Sequence, residues 1–476
     1  MATRIESKTE TGATEKIIAA LVARARAAQR VFERSTQEQL DAAATAAGWA
    51  IMNPAHNKVL AELAVRDTGL GVVADKITKN HRKTLGLLRD LRGAKSTGVI
   101  AEYPERGITE IARPVGVVAA VVPSTNPAAT PANNIINALK CGNAVIVAPS
   151  PKGHSTCTLL LDLVRAELKR VGAPLDLVQQ LPAPITRELT NELMKQADLV
   201  VVTGSQNNVR AGYSSGTPAL GVGTGNVVVI VDETADCPDA ARKIMASKIF
   251  DNATSCSSEN AVIVHERVYD RMIAALAREG GALLAPPEKE TLRKAMFPGG
   301  KLSPAVTAQA VKKICGVAGL ARAELLDAKC LIVEETGAGR DFPFSGEKLS
   351  PVLALYRARD FDHAFEILRA IYAYQGNGHS VGIYTENDAN VRTLAHELTV
   401  ARVIVKQAHT FATGGSFDNG LPFSLSMGCG TWGGNSFSDN LNYRHFMNIT
   451  RIVRTIPERR PTEEDVFGPY WKKYGK

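Results

Sequence analysis

From Val115 onward the chain alternates short apolar runs with helical patterns, and few folds accept that rhythm. "VGVVAAVVP", "NAVIVAP", "DLVQQLP" and "DLVVVTGS" read as strands, while "PANNIINALKC", "GHSTCTLLLDLVRAELKR" and "TRELTNELMKQA" between them read as helices. Strands apolar on both faces, each returned to the sheet by a helix, build a parallel, doubly wound sheet. "NVVVIVD" (Asn226 to Asp232) adds another buried strand. Residues 113–232 are therefore expected to form a nucleotide-binding domain, with the helical segment 1–97 packed on it. A second α/β block over 233–412 carries "AVIVHE", "CLIVEET", "LSPVLALY", "HSVGIYT" and "ARVIVK" as strands. Residues 98–112 belong to a hairpin around a Pro-Glu-Arg-Gly turn, and 413–437 form a Gly-rich loop region. Residues 438–476 read as an edge strand and a polar tail.

The chain's 476 residues are enough for two or three domains with real cores. The longest clean apolar run, "VGVVAAVV", is far too short to cross a bilayer, and "MATRIESKTE" has no apolar segment of the kind that directs secretion. Seven cysteines without a CxxC pair argue against a disulfide framework and for a reducing cytoplasm. The net charge of +8 is spread along the chain. It suits a solvated surface or the attraction of anionic small molecules. No basic run interleaved with aromatics points to nucleic acid. No H-E-x-x-H and no clustered His/Cys set points to a metal.

One cysteine stands apart. Cys256, in "FDNATSCSSENAVIV", falls where a helix ends and a strand begins, among small polar neighbours. A nucleophilic thiol needs that open approach and nearby backbone N–H groups, although a loop cysteine without a role has the same surroundings. Cys429, with glycines on both sides, is its rival for an accessible sulfur. Three segments sit after strands and before helices, where open α/β sheets bind ligands. "PSTNP" offers Asn126, whose side-chain N–H could meet an oxyanion or cap a turn. "APSPKG" offers Ser150 and Lys152, toward a ribose and a phosphate or toward solvent. "VTGSQNNV" places Thr203, Gly204 and Ser205 at a helix start suited to a pyrophosphate. "GVGTGN", with Gly221 and Gly223, precedes a strand rather than a helix, so it is no dinucleotide fingerprint. Backbone running close to a flat ligand or a reaction centre fits it better. Glu347, just before "LSPVLALY", could take ribose hydroxyls or simply face water beside Lys348.

Taken in order, "PSTNP", "APSPKG", "VTGSQNNVRAGYSSGTPALGVGTGN", "FDNATSCSSENAVIV", "EKLSPVLALY" and "MGCGTWGGNS" resemble the aldehyde dehydrogenase superfamily over nearly the whole chain, and within it the CoA-acylating branch. The resemblance implies an α/β fold with two Rossmann-type parallel-sheet domains, cofactor and catalytic, plus a small β oligomerisation element. It implies that Cys256 attacks an aldehyde, and that Asn126 and the Cys256 N–H hold the oxyanion. Thr203, Gly204, Ser205, Gly221 and Gly223 would run along the cofactor, Ser150 and Lys152 near the adenine ribose, and Glu347 on the nicotinamide ribose. Hydrolytic members carry a glutamate in an E-L-G-G segment. "GVGTG" stands there without a carboxylate, so the thioester should wait for coenzyme A.

Within the branch, "NATSCSSEN", "EYPERGITEIARPVG" and "NYRHFMNITRI" are most similar to the acylating dehydrogenases of sulfoacetaldehyde, which make sulfoacetyl-CoA. A sulfonate needs fixed donors, for which Arg210, Arg444 and His445 are candidates. The resemblance implies NADP or NAD as cofactor, with Lys152 toward a 2′-phosphate, and a homodimer or homotetramer. Three alternatives stand beside it. They are another short aldehyde (acetaldehyde, propionaldehyde or succinate semialdehyde), a hydrolytic aldehyde dehydrogenase, and a non-redox cysteine acyltransferase. The last needs a histidine at Cys256, a partner that could be His265, His379, His409 or His445.

Overall fold

The structure, a computed structural model, describes residues 2–476, with side chains from residue 12. Met1, where the 1–97 segment and the N-terminal reading begin, lies outside them. Four helices open the chain: α1 (Ala2–Phe32), α2 (Gln37–Met52), α3 (Pro54–Thr68) and α4 (Val73–Leu91). A hairpin follows, β1 (Gly98–Tyr103) and β2 (Ile108–Pro114). Its turn passes through Gly107 at φ +63°, where the Arg454 carbonyl oxygen would lie 2.3 Å from a β-carbon. Only glycine fits there.

The alternating region becomes a five-stranded parallel sheet. Its strands are β3 (Val117–Val121), β4 (Ala144–Ala148), β5 (Val178–Gln180), β6 (Leu199–Thr203) and β7 (Ala219–Val222), ordered β5-β4-β3-β6-β7. The helices α5 (Ala129–Lys140), α6 (His154–Arg170), α7 (Arg187–Gln196) and α8 (Gln206–Tyr213) connect them. Every residue of β3 and β4 is buried, as runs covered on both faces require. Strand β7 is a difference from the sequence reading. It is four residues long, and the first two positions of "GVGTGN" belong to it.

A seven-stranded parallel sheet follows, made of β8 (Val227–Val231), β9 (Glu259–His265), β10 (Gly281–Leu283), β11 (Cys330–Glu334), β12 (Val352–Ala358), β13 (Val381–Tyr384) and β14 (Val403–Val405). Their order is β10-β11-β12-β9-β8-β13-β14. Alternate residues serve two separate cores: Val228, Ile230, Ala261 and Ile263 pack on one face, Val227, Val229, Val262 and Val264 on the other. Helix α9 (Cys237–Ile249) links β8 to the loop before β9. The last strand, β15 (Met447–Val453), returns to pair with β2, completing a three-stranded antiparallel sheet. The polar tail differs from its sequence reading. Residues Glu463–Tyr474 form a helix, started by a capping box between Thr462 and Asp465.

What positions the site is how the two parallel sheets meet. The carboxyl ends of β3 and β6 (Pro123–Asn126 and Thr203–Ser205) line one cavity with residues that precede β8, β9 and β12 (Gly223, Thr224, Cys256, Glu347). Between β3 and β6 the strand order reverses, which opens a crevice at their carboxyl ends.

Candidate active site

Cys256 reaches this cavity by a costly piece of backbone. After α9 the chain passes through Asp251, Asn252 and Ala253 with φ of 52°, 51° and 59°. Three successive non-glycine residues in the left-handed region cost about 1–3 kcal/mol each and persist only where surroundings dictate them. Here those surroundings are ionic. Asp251 is wholly buried and accepts hydrogen bonds from Lys76 Nζ (3.1 Å), Lys79 Nζ (2.6 Å), Thr254 Oγ1 (2.6 Å) and the Val72 N–H (2.8 Å). Its own N–H donates to Asp75 (2.8 Å). Burial alone would push the Asp251 carboxyl up, but the two ammoniums outweigh it and hold it below the usual carboxylate range. Helix α4 thus clamps the turn that presents the cysteine.

Lys79 does a second job. Its Nζ donates to Asn126 Oδ1 (2.9 Å), while Asn126 Nδ2 makes only a long contact to Thr125 (3.4 Å). The amide oxygen is spoken for and its N–H side is left for the cavity.

Around the sulfur, Cys256 Sγ lies 3.6 Å from His379 Nε2. His379 Nδ1 meets Ser380 Oγ at 2.7 Å, and that hydroxyl meets His409 Nε2 at 2.8 Å. Burial, with Arg402 nearby, drives His379 down to about 3, so the imidazole is neutral and a weak base that can take the thiol proton only as the sulfur bonds to carbon. Burial also pushes the Cys256 thiol up to about 12, helped by Glu347 and Cys429. The resting pair is a neutral thiol beside a neutral imidazole. Behind the sulfur runs the glycine loop: a β-carbon on Gly225 would sit 2.3 Å from the Cys256 carbonyl oxygen. Glu347 Oε1 accepts the Gly225 N–H at 3.3 Å, and burial pushes this carboxyl up to about 8.

Of the residues singled out in the sequence, Cys256, Asn126, Thr203, Gly204, Ser205, Gly223 and Glu347 line this single cleft of about 350 Å³. That volume suits a small organic ligand. A second cavity of about 370 Å³ continues from it past Pro123, Ser124, Gly204 and Ser205, and Ser150 is on its wall. Ser150 Oγ is buried there without a partner, as a site awaiting a hydroxyl-bearing ligand requires.

Several expectations need correction. Gly221 lies outside the cleft, in β7 beneath the Tyr213 hydroxyl. Lys152 is exposed and off the cavity wall, because it sits on the outer side of a short 3-10 turn. Arg187, at the start of α7, is the cation on that wall. Arg210 is exposed on α8, and Arg444 is exposed beside the Tyr443 hydroxyl (3.4 Å). His445 pairs with Asp439 (3.0 Å). None of the three lines the cleft that holds the thiol, because each lies in a surface turn or helix. Cys429 is buried and pushed up to about 11 by that burial, not accessible between its glycines. Among the four open histidines, His379 is the one against Cys256.

The sequence reading missed Lys76, Lys79, Lys83, Asp251, Thr410 and Arg187. A signal for the first three was present. Lysines at i, i+3 and i+7 share one face of α4 with Asn80 and Thr84, and all five are buried.

The profile of the aldehyde dehydrogenase family matches residues 3–420. The chain belongs to that family. A relative from Cupriavidus necator named sulfoacetaldehyde dehydrogenase (acylating) is 61% identical over 98% of this chain and 94% of its own length. One of the same name from Bilophila wadsworthia is 43% identical over 95% of this chain and 98% of its own. An acetylating aldehyde dehydrogenase of Geobacillus thermoglucosidasius superposes with a TM-score of 0.90 at 33% identity, covering 95% of this chain and 99% of that one. These likenesses place this aldehyde dehydrogenase in the CoA-acylating branch, among oxidoreductases. Among the described residues no helix is long and apolar enough to cross a membrane. Nor does any group of three or more His, Cys, Asp or Glu converge there as if on a metal ion.

Proposed function

We propose that this enzyme oxidises sulfoacetaldehyde to sulfoacetyl-CoA, using NADP or NAD and releasing the acyl group to coenzyme A. The observation that carries the chemistry is one continuous cleft. At one end is the Cys256 thiol with Asn126, at the other a crevice of nucleotide type, and the Gly223–Gly225 loop beside the thiol holds no carboxylate of its own. The substrate rests on the relatives' names and on their likeness over nearly the whole chain.

His379 Nε2 takes the Cys256 proton as Sγ bonds to the carbonyl carbon. The oxygen becomes an alkoxide held by Asn126 Nδ2 and the Cys256 N–H. Oxidised nicotinamide, when bound, would supply the acceptor for the hydride that leaves the carbon. Collapse of the alkoxide leaves a thioester on Cys256. The thiolate of coenzyme A adds to that carbonyl, the Cys256 C–S bond breaks, and Cys256 leaves as the thiolate. One aldehyde, one CoA thiol and one oxidised cofactor give one acyl-CoA, one reduced cofactor and one proton. Ser150, Thr203, Gly204 and Ser205 would hold the nucleotide, Arg187 would supply its cation, and Glu347 would receive the nicotinamide ribose. Residues 98–112 and 438–476 act in a homodimer or homotetramer. Strand β15 has an unpaired edge, and Val453 is 72% exposed on it. All seven cysteines are free, which suits a reducing cytoplasm.

The test is absorbance at 340 nm with sulfoacetaldehyde and NADP, with and without CoA, for wild type and Cys256→Ala. A CoA-dependent rise lost in the variant supports the reading. A rise without CoA would mean that water reaches the thioester, with Glu347 as the carboxylate at hand. The Cys256–His379 pair also fits a non-redox acyl transfer. Acyl transfer with no absorbance change would favour that and end the dehydrogenase reading.

A further inference from the structure

Four cations point inward from α4, and three of them are accounted for. Lys76 and Lys79 share Asp251. Arg82 donates to the Phe411 carbonyl and Ser416 Oγ, and stacks near Phe411, Phe417 and Phe423. Lys83 is different. Its side chain is buried, its Nζ makes one hydrogen bond, to the Gly414 carbonyl (2.6 Å), and sits 5.6 Å from the Phe423 ring centroid, but it meets no carboxylate. An ammonium carries three donors, and a buried charge without a counter-ion is costly. The same lysine lines the cleft that holds Cys256. Burial, with Arg82 and Lys79 close by, drives it down to about 7, and only the Cys256 sulfur opposes this.

A second orphan faces the same space. Thr410 Oγ1 is buried, has no hydrogen-bond partner and lines the same cleft. So a cation lacking its anion and a hydroxyl lacking its acceptor both face the cleft of about 350 Å³ that holds the nucleophile.

We propose that Lys83 and Thr410 form the clamp that receives the sulfonate of the aldehyde, with the carbonyl carbon held toward Cys256. This rests on the substrate reading above. The substrate supplies the missing counter-ion: two sulfonate oxygens take the unused N–H bonds of Lys83 and the Thr410 hydroxyl. A neutral aldehyde of the same length leaves both unpartnered, so the site selects for a terminal anion. The role given in the sequence to Arg210, Arg444 and His445 passes to these two residues.

The experiment compares wild type with Lys83→Met and Thr410→Val in two measurements. The first is the ratio of kcat/KM for sulfoacetaldehyde to that for propionaldehyde. It should fall about 100-fold in Lys83→Met and about 10-fold in Thr410→Val. The second is protection of Cys256 from iodoacetamide by 2-hydroxyethanesulfonate. This should be clear in wild type and need at least about tenfold more sulfonate in either variant. Lys83→Met removes an uncompensated buried charge, so folding should hold, and its Tm checks this. A ratio changed less than about threefold, with protection intact, overturns the clamp. Should wild type fail on sulfoacetaldehyde, the substrate reading falls by itself. The clamp is then judged by the protection assay and by succinate semialdehyde in place of the sulfonate. Loss of either effect in Lys83→Met upholds it, and loss of neither ends it.

Discussion

The two ends of the cleft are built in opposite ways. The nucleotide end consists of strand ends and helix starts of one sheet: Pro123 and Ser124 after β3, Ser150 after β4, Gly204 and Ser205 after β6. Its chemistry is local, since each segment forms with its own strand and helix. The aldehyde end gathers Lys79, Lys83, Asn126, Asp251, Cys256, His379 and Thr410 from α4, both sheets and a late loop. It exists only when the whole chain has folded. A local end should tolerate change residue by residue, and an assembled end should fail as a unit.

The largest expected effect tests the assembled end at its centre. Cys256→Ala should lower CoA-dependent reduction of NADP by at least about 10⁴-fold, read at 340 nm. Loss of less than tenfold would move the nucleophile elsewhere.

Next comes the clamp on the strained turn. Asp251→Asn leaves Lys76 and Lys79 without their shared carboxylate and should cost about 3–5 kcal/mol of stability, measured by denaturant unfolding. The pH dependence has a definite sign. A carboxyl held below its usual range stabilises the fold above its unfolded pKa, and that stability is lost as pH falls through the folded one. The gap between wild type and Asp251→Asn should therefore narrow below about pH 4. A gap independent of pH would detach the turn from its ion pairs.

Asn126→Ala should lower kcat by about 10²–10³-fold with the aldehyde KM little changed, since the amide acts on the alkoxide. Alkylation sharpens the same comparison from the sulfur side. With burial holding the thiol at about 12, iodoacetamide labelling of Cys256 in the ligand-free enzyme should rise about tenfold per pH unit from 8 to 10. A plateau below pH 9 would show that His379 already draws the proton.

The contrast also explains what the sequence disclosed. Both parallel sheets were legible in the alternating apolar runs, and so were the loops at their strand ends, because a strand end and the next helix start are neighbours in the chain. Cys256 stood out by its small polar neighbours only alongside Cys429, and the order of the motifs separated the two. The inward cations were not, because a lysine on a helix normally faces water; Lys76, Lys79 and Lys83 turn inward only because Asp251 and a polar cleft lie opposite. His379 is 123 residues from Cys256, and nothing local marks it above three other histidines. Strand β7 escaped notice because "PALGV" is short and broken by Pro218 and Gly221. The terminal helix was hidden by Pro469, although Thr462 with Asp465 marks its start.

The smallest effect belongs to the local end. Lys152 was expected near the cofactor phosphate, but it faces outward, and Arg187 takes the wall position at the start of α7. Arg187 is itself open to solvent, so water and salt screen whatever it binds. Arg187→Ala should therefore raise KM for NADP only about tenfold, leave KM for NAD nearly unchanged, and shift little at high ionic strength. Lys152→Ala should move neither. If the two lysine and arginine effects are reversed, the nucleotide runs past the turn after β4, along the side the sequence first suggested. If both variants discriminate equally, the local end is also assembled, from α6 and α7 together, and the contrast between the two ends weakens.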